Sequence, residues 1–172
     1  MEIIKVPDER IQVLKKAKQR IEQICKIKIS INEESEVSID GEESEVYFAK
    51  DVIRAIGRGF DPKIATRIIT KDLQFVLLNL KEYLRNENAI GRMKARVIGD
   101  KGKIKKDIED ATDSYLCVYG NTIGIISKID SIEYAREAIE LILRGARFTS
   151  LFTYLSKIKR KMFADRLSLQ RA

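Results

Sequence analysis

Apolar residues recur at three and four positions from Ile11 onward, through Leu14, Ala17, Ile21 and Ile24, and this spacing predicts a helix with one buried face. Before it, residues 3–6 read as a short strand halted by Pro7. After it, residues 26–31 alternate polar side chains with isoleucine, the period of a half-buried strand. A further short strand, 37–39, runs into the turn pair Asp40-Gly41. From about Ser44 the helical period returns, with Val46, Ala49, Val52, Ile53 and Ile56 on one side, and Gly57-Arg58-Gly59 closes the segment. Asp61-Pro62 then opens a short helix that reaches Thr70.

A second round follows in the same order. Residues 73–80 form an apolar run of strand length, and a polar link holding Asn86 and Asn88 leads into a basic helix that stops at a glycine turn. Beyond the turn an amphipathic helix carries Ile104 and Ile108, and gives way near Thr112 to a strand over 115–119. Gly120-Asn121 turns the chain and 123–126 is the return strand. The next helix buries Ile132, Ala135, Ile139, Ile142 and Leu143, with Asp130 expected as its cap and Glu133 completing a capping box. A last helix from Thr149 is expected to turn Leu151, Phe152, Leu155, Ile158, Met162 and Phe163 inward, and Lys157, Lys159, Arg160, Lys161 and Arg166 outward.

The two rounds are a repeat. Residues 46–59 align without gaps to 132–145, with alanine, two isoleucines and the closing Arg-Gly coinciding, and Ile21-Glu22 matches Ile108-Glu109. The shared order strand-helix-helix-strand-strand-helix predicts an α+β protein of two tandem units, 1–70 and 71–147, followed by a basic C-terminal helix, 148–172.

Composition narrows the chemistry. The 172 residues carry a net charge of +7, with a pI near 9.4, which favours a polyanionic partner. No apolar run reaches membrane length, and Met1-Glu2-Ile3-Ile4-Lys5 does not open a signal peptide, so the expectation is a cytoplasmic protein without a membrane partner. Histidine is absent, which excludes Ser-His-Asp and Cys-His nucleophiles. The isolated Cys25 and Cys117 offer no zinc set and read as small core hydrophobes among strand residues. A Walker loop would need glycine where Val97 stands and Ser or Thr where Ile104 stands. No catalytic residue, metal or cofactor is expected, and the protein is read as a non-enzyme.

The stretch that remains is Arg96-Val97-Ile98-Gly99-Asp100-Lys101-Gly102-Lys103-Ile104-Lys105-Lys106. Glycines at both corners let a ligand approach the main chain. The helix that follows opens on unpaired N–H groups and the positive end of its dipole, which suits a phosphate. Arg92, Lys94, Arg96, Lys101, Lys103, Lys105 and Lys106 surround this turn, opposed by Asp100. Arg92 and Arg96 are four apart, so they are expected to share a helix face and meet successive phosphates. Ile98, Ile104, Ile108 and Val118 are expected to floor a groove for bases, with Ile98 and Ile104 nearest the ligand. Lys157, Arg160 and Lys161 of the last helix are candidates to extend the path.

Strand, helix, G-x-x-G, helix, two strands and helix resembles a type I KH domain, a clamp for single-stranded nucleic acid. More narrowly, Ala55-Ile56-Gly57-Arg58-Gly59-Phe60, the stretch 96–103 and Ser114-Tyr115-Leu116-Cys117-Val118-Tyr119-Gly120 are similar to the archaeal two-KH ribosome-assembly proteins. The eukaryotic relatives of that family partner the small-subunit rRNA dimethylase and the endonuclease that trims the rRNA 3′ end. The resemblance spans nearly the whole chain and is most specific over 44–155. It implies two type I KH-like units that bind single-stranded small-subunit rRNA near its 3′ end in ribosome assembly. It further implies contact with the α subunit of initiation factor two and with rRNA-processing enzymes.

The first unit departs from that pattern. Arg10-Ile11-Gln12-Val13-Leu14 corresponds to Arg96-Val97-Ile98, but the glycine turn is missing and Lys15-Lys16-Ala17-Lys18 carries the helix straight on. The loop Asn32-Glu33-Glu34-Ser35-Glu36 is acidic where nucleic acid would lie, and Asp40, Glu42, Glu43 and Glu45 follow with no base before Lys50. The first unit is therefore expected to have lost the phosphate clamp. Two functions remain open: RNA binding through the second unit, and protein docking through the acidic first unit with RNA contact secondary. A duplex-DNA regulator is a third, which competition by duplex DNA would separate, because a duplex hides base edges from a narrow groove.

Overall fold

A computed structural model describes residues 1–171, and the chain divides after Phe75 into two units, Met1–Phe75 and a second from Val76 onward. In the first, β1 (Glu2–Lys5) ends just before Pro7, which has no backbone donor to extend the ladder. The helix α1 (Asp8–Cys25) follows, with Asp8 and Glu9 in its first turn where carboxylates complement the dipole. It buries Ile11, Leu14, Ile21 and Cys25, and stops at Lys26, a left-handed residue whose N–H returns to the Glu22 carbonyl. The strands β2 (Lys28–Ile31) and β3 (Glu36–Asp40) are antiparallel, and β1 pairs with the other side of β3, giving the order β1-β3-β2. Next, α2 (Glu43–Gly57) buries Val46, Ala49, Val52, Ile53 and Ile56, as its period requires. Two helical turns, α3 (Pro62–Ala65) and α4 (Arg67–Thr70), stand where one short helix was expected. The Asp61 carboxylate caps the first by accepting from the Lys63 N–H at 2.7 Å.

The second unit runs β4 (Gln74–Asn79), the single turn α5 (Leu80–Tyr83), α6 (Glu87–Ile98), α7 (Lys103–Thr112), β5 (Ser114–Tyr119), β6 (Thr122–Ser127), α8 (Ile129–Leu143) and α9 (Phe148–Arg171). Its sheet has the order β4-β6-β5, with β5 and β6 antiparallel. The central strand β6 is buried at every position, which is why its sequence does not alternate. Ile104, Ile108, Leu116, Ile123, Ile125, Ile139, Leu151 and Leu155 belong to one core. Among the described residues, no helix is long and apolar enough to cross a membrane.

Three local expectations change. The helix α8 starts a residue earlier than Asp130, so Lys128 is its N-cap position and Asp130 lies within the first turn, acting on the dipole by charge alone. On α9 the buried stripe is Leu151, Leu155 and Ile158. Phe152 and Phe163 fall off that narrow stripe and are exposed. Cys25 is buried at a helix end rather than in a strand, and burial pushes its thiol up to about 11; Cys117 is half-buried in β5.

The repeat is written in bonds as well as in sequence. Arg10 donates to the Ile56 and Phe60 carbonyls at 2.9 and 2.8 Å, which lie 46 and 50 positions later. Arg96 donates to the Ile142 and Ala146 carbonyls at 3.2 and 2.5 Å, again 46 and 50 positions later. Glu22 accepts from the Ile29 N–H and Glu109 from the Leu116 N–H, both at 2.8 Å and both seven residues on. The end of α2 is thus tied to α1 and the end of α8 to α6, and in each unit a helix is tied to the strand that follows.

Candidate nucleic-acid interface

Asn86 opens α6 by accepting from the Ala89 N–H at 2.8 Å, and the helix ends at Ile98. Gly99 then takes φ +73°, ψ −178°, a conformation essentially reserved to glycine. A Cβ at Gly99 would lie 2.4 Å from Ile104 Cγ1 and 2.8 Å from the Ile104 backbone nitrogen. Gly99 is therefore fixed twice, by its dihedral angles and by the close passage of α7. Asp100–Gly102 forms one 3-10 turn with Lys101 left-handed at φ +50°, and Gly102 follows at φ +76°. Nothing lies within 4 Å of a Cβ placed on Gly102, so this corner stands open. The two glycines do different work: one lets the turn close, the other leaves room beside it.

No side chain caps the start of α7, as at α1, α2 and α8, whereas α3, α5 and α6 receive a side-chain acceptor. The Lys103 N–H is taken by the Asp100 carbonyl, and the N–H groups that follow it in the first turn, with the dipole end of α7, are available to an anion. Lys101, Lys103 and Lys106 are exposed and, among the described residues, form no ion pair. Arg92 and Asp100 are exposed and Lys94 and Ile98 half-buried, all on or beside the same turn. Lys105 is held differently: it pairs at 3.3 Å with Glu109, whose carboxylate also receives the Leu116 N–H.

Two side-chain placements differ from what helix-face spacing predicts. Arg96 has partners within the protein. Its guanidinium is engaged by the Ile142 and Ala146 carbonyls and lies 4.9 Å from the centroid of the Phe148 ring. The Ile142 carbonyl at the end of α8 already accepts the Gly145 N–H at 2.9 Å, and the guanidinium adds a second donor there, where a cation complements the negative end of the helix dipole. Ile104 is 6% exposed and Ile108 fully buried, so both support the turn from inside the core; Ile98 and Val118, half-buried, keep surface toward a ligand. On α9, Lys157, Arg160 and Lys161 are exposed. Arg160 donates within its own helix to Ser156 at 3.4 Å, and Lys161 lies 5.2 Å from the Tyr134 ring centroid, its pKa raised by a hydrogen bond and charge interaction with Tyr134. The sequence reading assigned no role to Glu109, although its match with Glu22 in the repeat was the available signal.

The first unit offers no such opening. At the matching place α1 is continuous, so the backbone N–H groups of Lys15, Lys16 and Lys18 lie inside a helix, and Lys18 pairs with Glu22 at 3.9 Å. The Asn32 side chain accepts from the Glu34 and Glu36 N–H groups at 3.0 and 2.9 Å, which orders the loop with Glu33 and Glu34 exposed.

Comparison with known proteins agrees with this geometry. The family model for the second KH domain of PNO1, a eukaryotic type KH-domain (KH-domain type I), matches residues 74–160. The chain is 35% identical to the KH domain-containing protein MJ0443 of Methanocaldococcus jannaschii, over 98% of this chain and 78% of that one. It is 25% identical to the pre-rRNA-processing protein PNO1 of Chaetomium thermophilum, over 92% of this chain and 66% of that one. A crystal structure of the a/eIF2alpha-aDim2p-rRNA complex from Pyrococcus horikoshii contains a chain that superposes with a TM-score of 0.86 at 35% identity, covering 93% of this chain and 94% of that one.

Proposed function

We propose that this chain, which belongs to the family of KH-domain proteins that includes PNO1 and archaeal Dim2p, holds single-stranded small-subunit rRNA near its 3′ end. It is an RNA-binding protein of ribosome biogenesis, and its work is done by the second unit. The observation that carries this reading is the uncapped start of α7 behind the open Gly102 corner, with Lys101, Lys103 and Lys106 exposed around it. A phosphate there accepts backbone N–H bonds and meets the helix dipole, while the lysines supply full charge. Arg92 and Lys94 continue the path along α6, and Ile98 and Val118 offer apolar surface to a base. Arg96 and Glu109 serve by holding α6 and β5 in place. The protein acts in the cytoplasm by binding alone, without chemistry of its own. A related chain has been solved with a/eIF2alpha and rRNA together, and we carry that pairing over as a second partner, the α subunit of initiation factor two; rRNA-processing enzymes are proposed as partners on the family resemblance alone.

The test compares two triple variants. Lys101, Lys103 and Lys105 are changed together to Ser in one, and Lys15, Lys16 and Lys18 in the other, and each is footprinted on the same single-stranded rRNA fragment. Both lose equal charge, so a general loss of attraction cannot separate them. The first is expected to lose about tenfold or more in affinity, roughly 1.4 kcal/mol, and the second far less. Equal losses would mean that both units grip RNA, and the assignment to the second unit would fail.

A further inference from the structure

The units differ in what lies over one face of the matching helices α2 and α8. In the second, α8 presents Tyr134 there and α9 crosses it. Lys161 lies over the ring, Tyr154 donates its hydroxyl to Glu137 at 2.8 Å, and Arg166 pairs at 3.4 Å with Asp113, the left-handed residue that ends α7. Met162 and Leu169 of α9 help enclose the depression that remains, about 170 Å³. The gapless alignment of the two helices puts Phe48 of α2 where α8 has Tyr134. The chain leaves α2 and α8 in the same way, opening a new helix at Pro62 and at Phe148. In the first unit, however, the helical turns stop at Thr70, while α9 continues to Arg171. The first unit thus has no counterpart of the half of α9 that carries Lys161, Met162 and Arg166. What stands there is a groove of about 230 Å³ walled by Ile24, Phe48 and Ile69, with Lys26 and Glu45 at its edge. Phe48 is 52% exposed and Tyr47 69%, their rings edge-to-face at 5.4 Å.

We propose that this groove is the docking site for an amphipathic helix of a partner protein, seated as the second half of α9 is seated in the second unit. Its chemistry can be read from the differences. A long aliphatic side chain such as Met or Leu fills the space between Ile24 and Ile69. A Lys or Arg lies over Phe48 and Tyr47, as Lys161 lies over Tyr134, with Glu43 and Glu45 of the same helix turn adding negative charge. At the end of the groove the sign reverses. Lys26 occupies the place of Asp113: each is the left-handed residue that closes its helix, with its N–H on the Glu22 or Glu109 carbonyl. The docking helix therefore carries a carboxylate where α9 carries Arg166. This disfavours a second copy of this chain, whose α9 would set Arg166 against Lys26. The glutamates disfavour RNA.

Two labelled peptides of residues 156–171 test this, one native and one with Arg166→Glu, titrated into the full chain by fluorescence anisotropy. The Arg166→Glu peptide is expected to bind about fivefold tighter than the native one, the worth of one charge pair. Lys26→Asp in the protein should reverse that preference. Phe48→Ser should weaken both peptides while leaving RNA affinity and the circular dichroism melt unchanged, since Phe48 contributes little to the core. Binding that ignores Phe48→Ser, or a preference that Lys26→Asp does not reverse, overturns the proposal, as does no binding by either peptide at about millimolar concentration. Phe48-dependent dimerisation in sedimentation would assign the groove to a second copy, and displacement of the peptide by single-stranded RNA would assign it to nucleic acid; either result also overturns it.

Discussion

Replacing Gly99 by alanine should damage the fold far more than replacing Gly102, although both are the glycines of one G-x-x-G turn. At Gly99 the new methyl would sit 2.4 Å from Ile104 Cγ1 and 2.8 Å from both Ile104 Cβ and the Ile104 nitrogen. Ile104 is a buried core residue on the first turn of α7 and cannot retreat without moving that helix. Forcing such an overlap costs about 1–3 kcal/mol, and holding a non-glycine residue at φ +73°, ψ −178° costs about 1–3 kcal/mol more. The sum, about 2–6 kcal/mol, is a large share of the ~5–15 kcal/mol that keeps a domain folded. At Gly102 a methyl meets nothing within 4 Å, and only the left-handed backbone at φ +76° resists it, a cost of about 1 kcal/mol. Urea unfolding followed by far-ultraviolet circular dichroism measures both, an optical choice suited to a chain with Trp 0. Gly99→Ala should move the midpoint several times as far as Gly102→Ala. Equal midpoints would refute the claim that α7 presses on Gly99 and leaves Gly102 open.

Lys101→Asp places a carboxylate on an exposed left-handed residue of the turn, so RNA affinity should fall about tenfold or more, with the melting temperature nearly unchanged; undiminished binding would remove the turn from the site. If about three to five phosphates are neutralised on one strand, log affinity should fall against log salt with a slope of roughly −2 to −3.5, and a slope near zero would dismiss the lysines. In a Cys117→Ser chain, the Cys25 thiol, raised to about 11 by burial, should resist iodoacetamide at neutral pH until urea unfolds the first unit; prompt alkylation of the folded chain would contradict its burial.

The element order was legible because two periods alternate cleanly along this chain. The helices around Leu14, Ile53, Ile108 and Ile139 each show the three-and-four spacing, and those residues are fully buried. The turn at Gly99 was legible as a turn, because two glycines and four lysines between 99 and 106 suit few other roles. The partners of Arg96 were missed for a physical reason. A helix-face argument fixes the direction in which a side chain leaves its helix, but it cannot see the carbonyls at the end of α8, which arrive from 46 and 50 positions away. Ile104 was misplaced in the same way: next to two glycines in sequence, it is pulled inward by the turn it stabilises. The exposure of Phe152 and Phe163 shows the converse, since an apolar residue one step off a narrow stripe is not thereby buried.

The repeat also acts as a control within one molecule. A bond made in both units cannot owe its presence to RNA, because the first unit has no phosphate turn to serve. Arg10 and Arg96, with their paired carbonyls, and Glu22 and Glu109, with their paired strand N–H groups, therefore belong to the fold. What differs carries the division of labour. Joining the two helices into α1 satisfies by helix hydrogen bonds the N–H groups that the second unit leaves beyond Lys103, whose own N–H is taken by the Asp100 carbonyl. An anion site is lost in the first unit without loss of the core beneath it. The same logic runs the other way on α2 and α8. Covering Tyr134 with α9 commits that face of the second unit to its own chain, and ending the helix at Thr70 leaves Phe48 and Tyr47 exposed on the first. Each unit thus keeps open the face that the other has closed, so the two ligands, a phosphate backbone and an amphipathic helix, do not compete for one site.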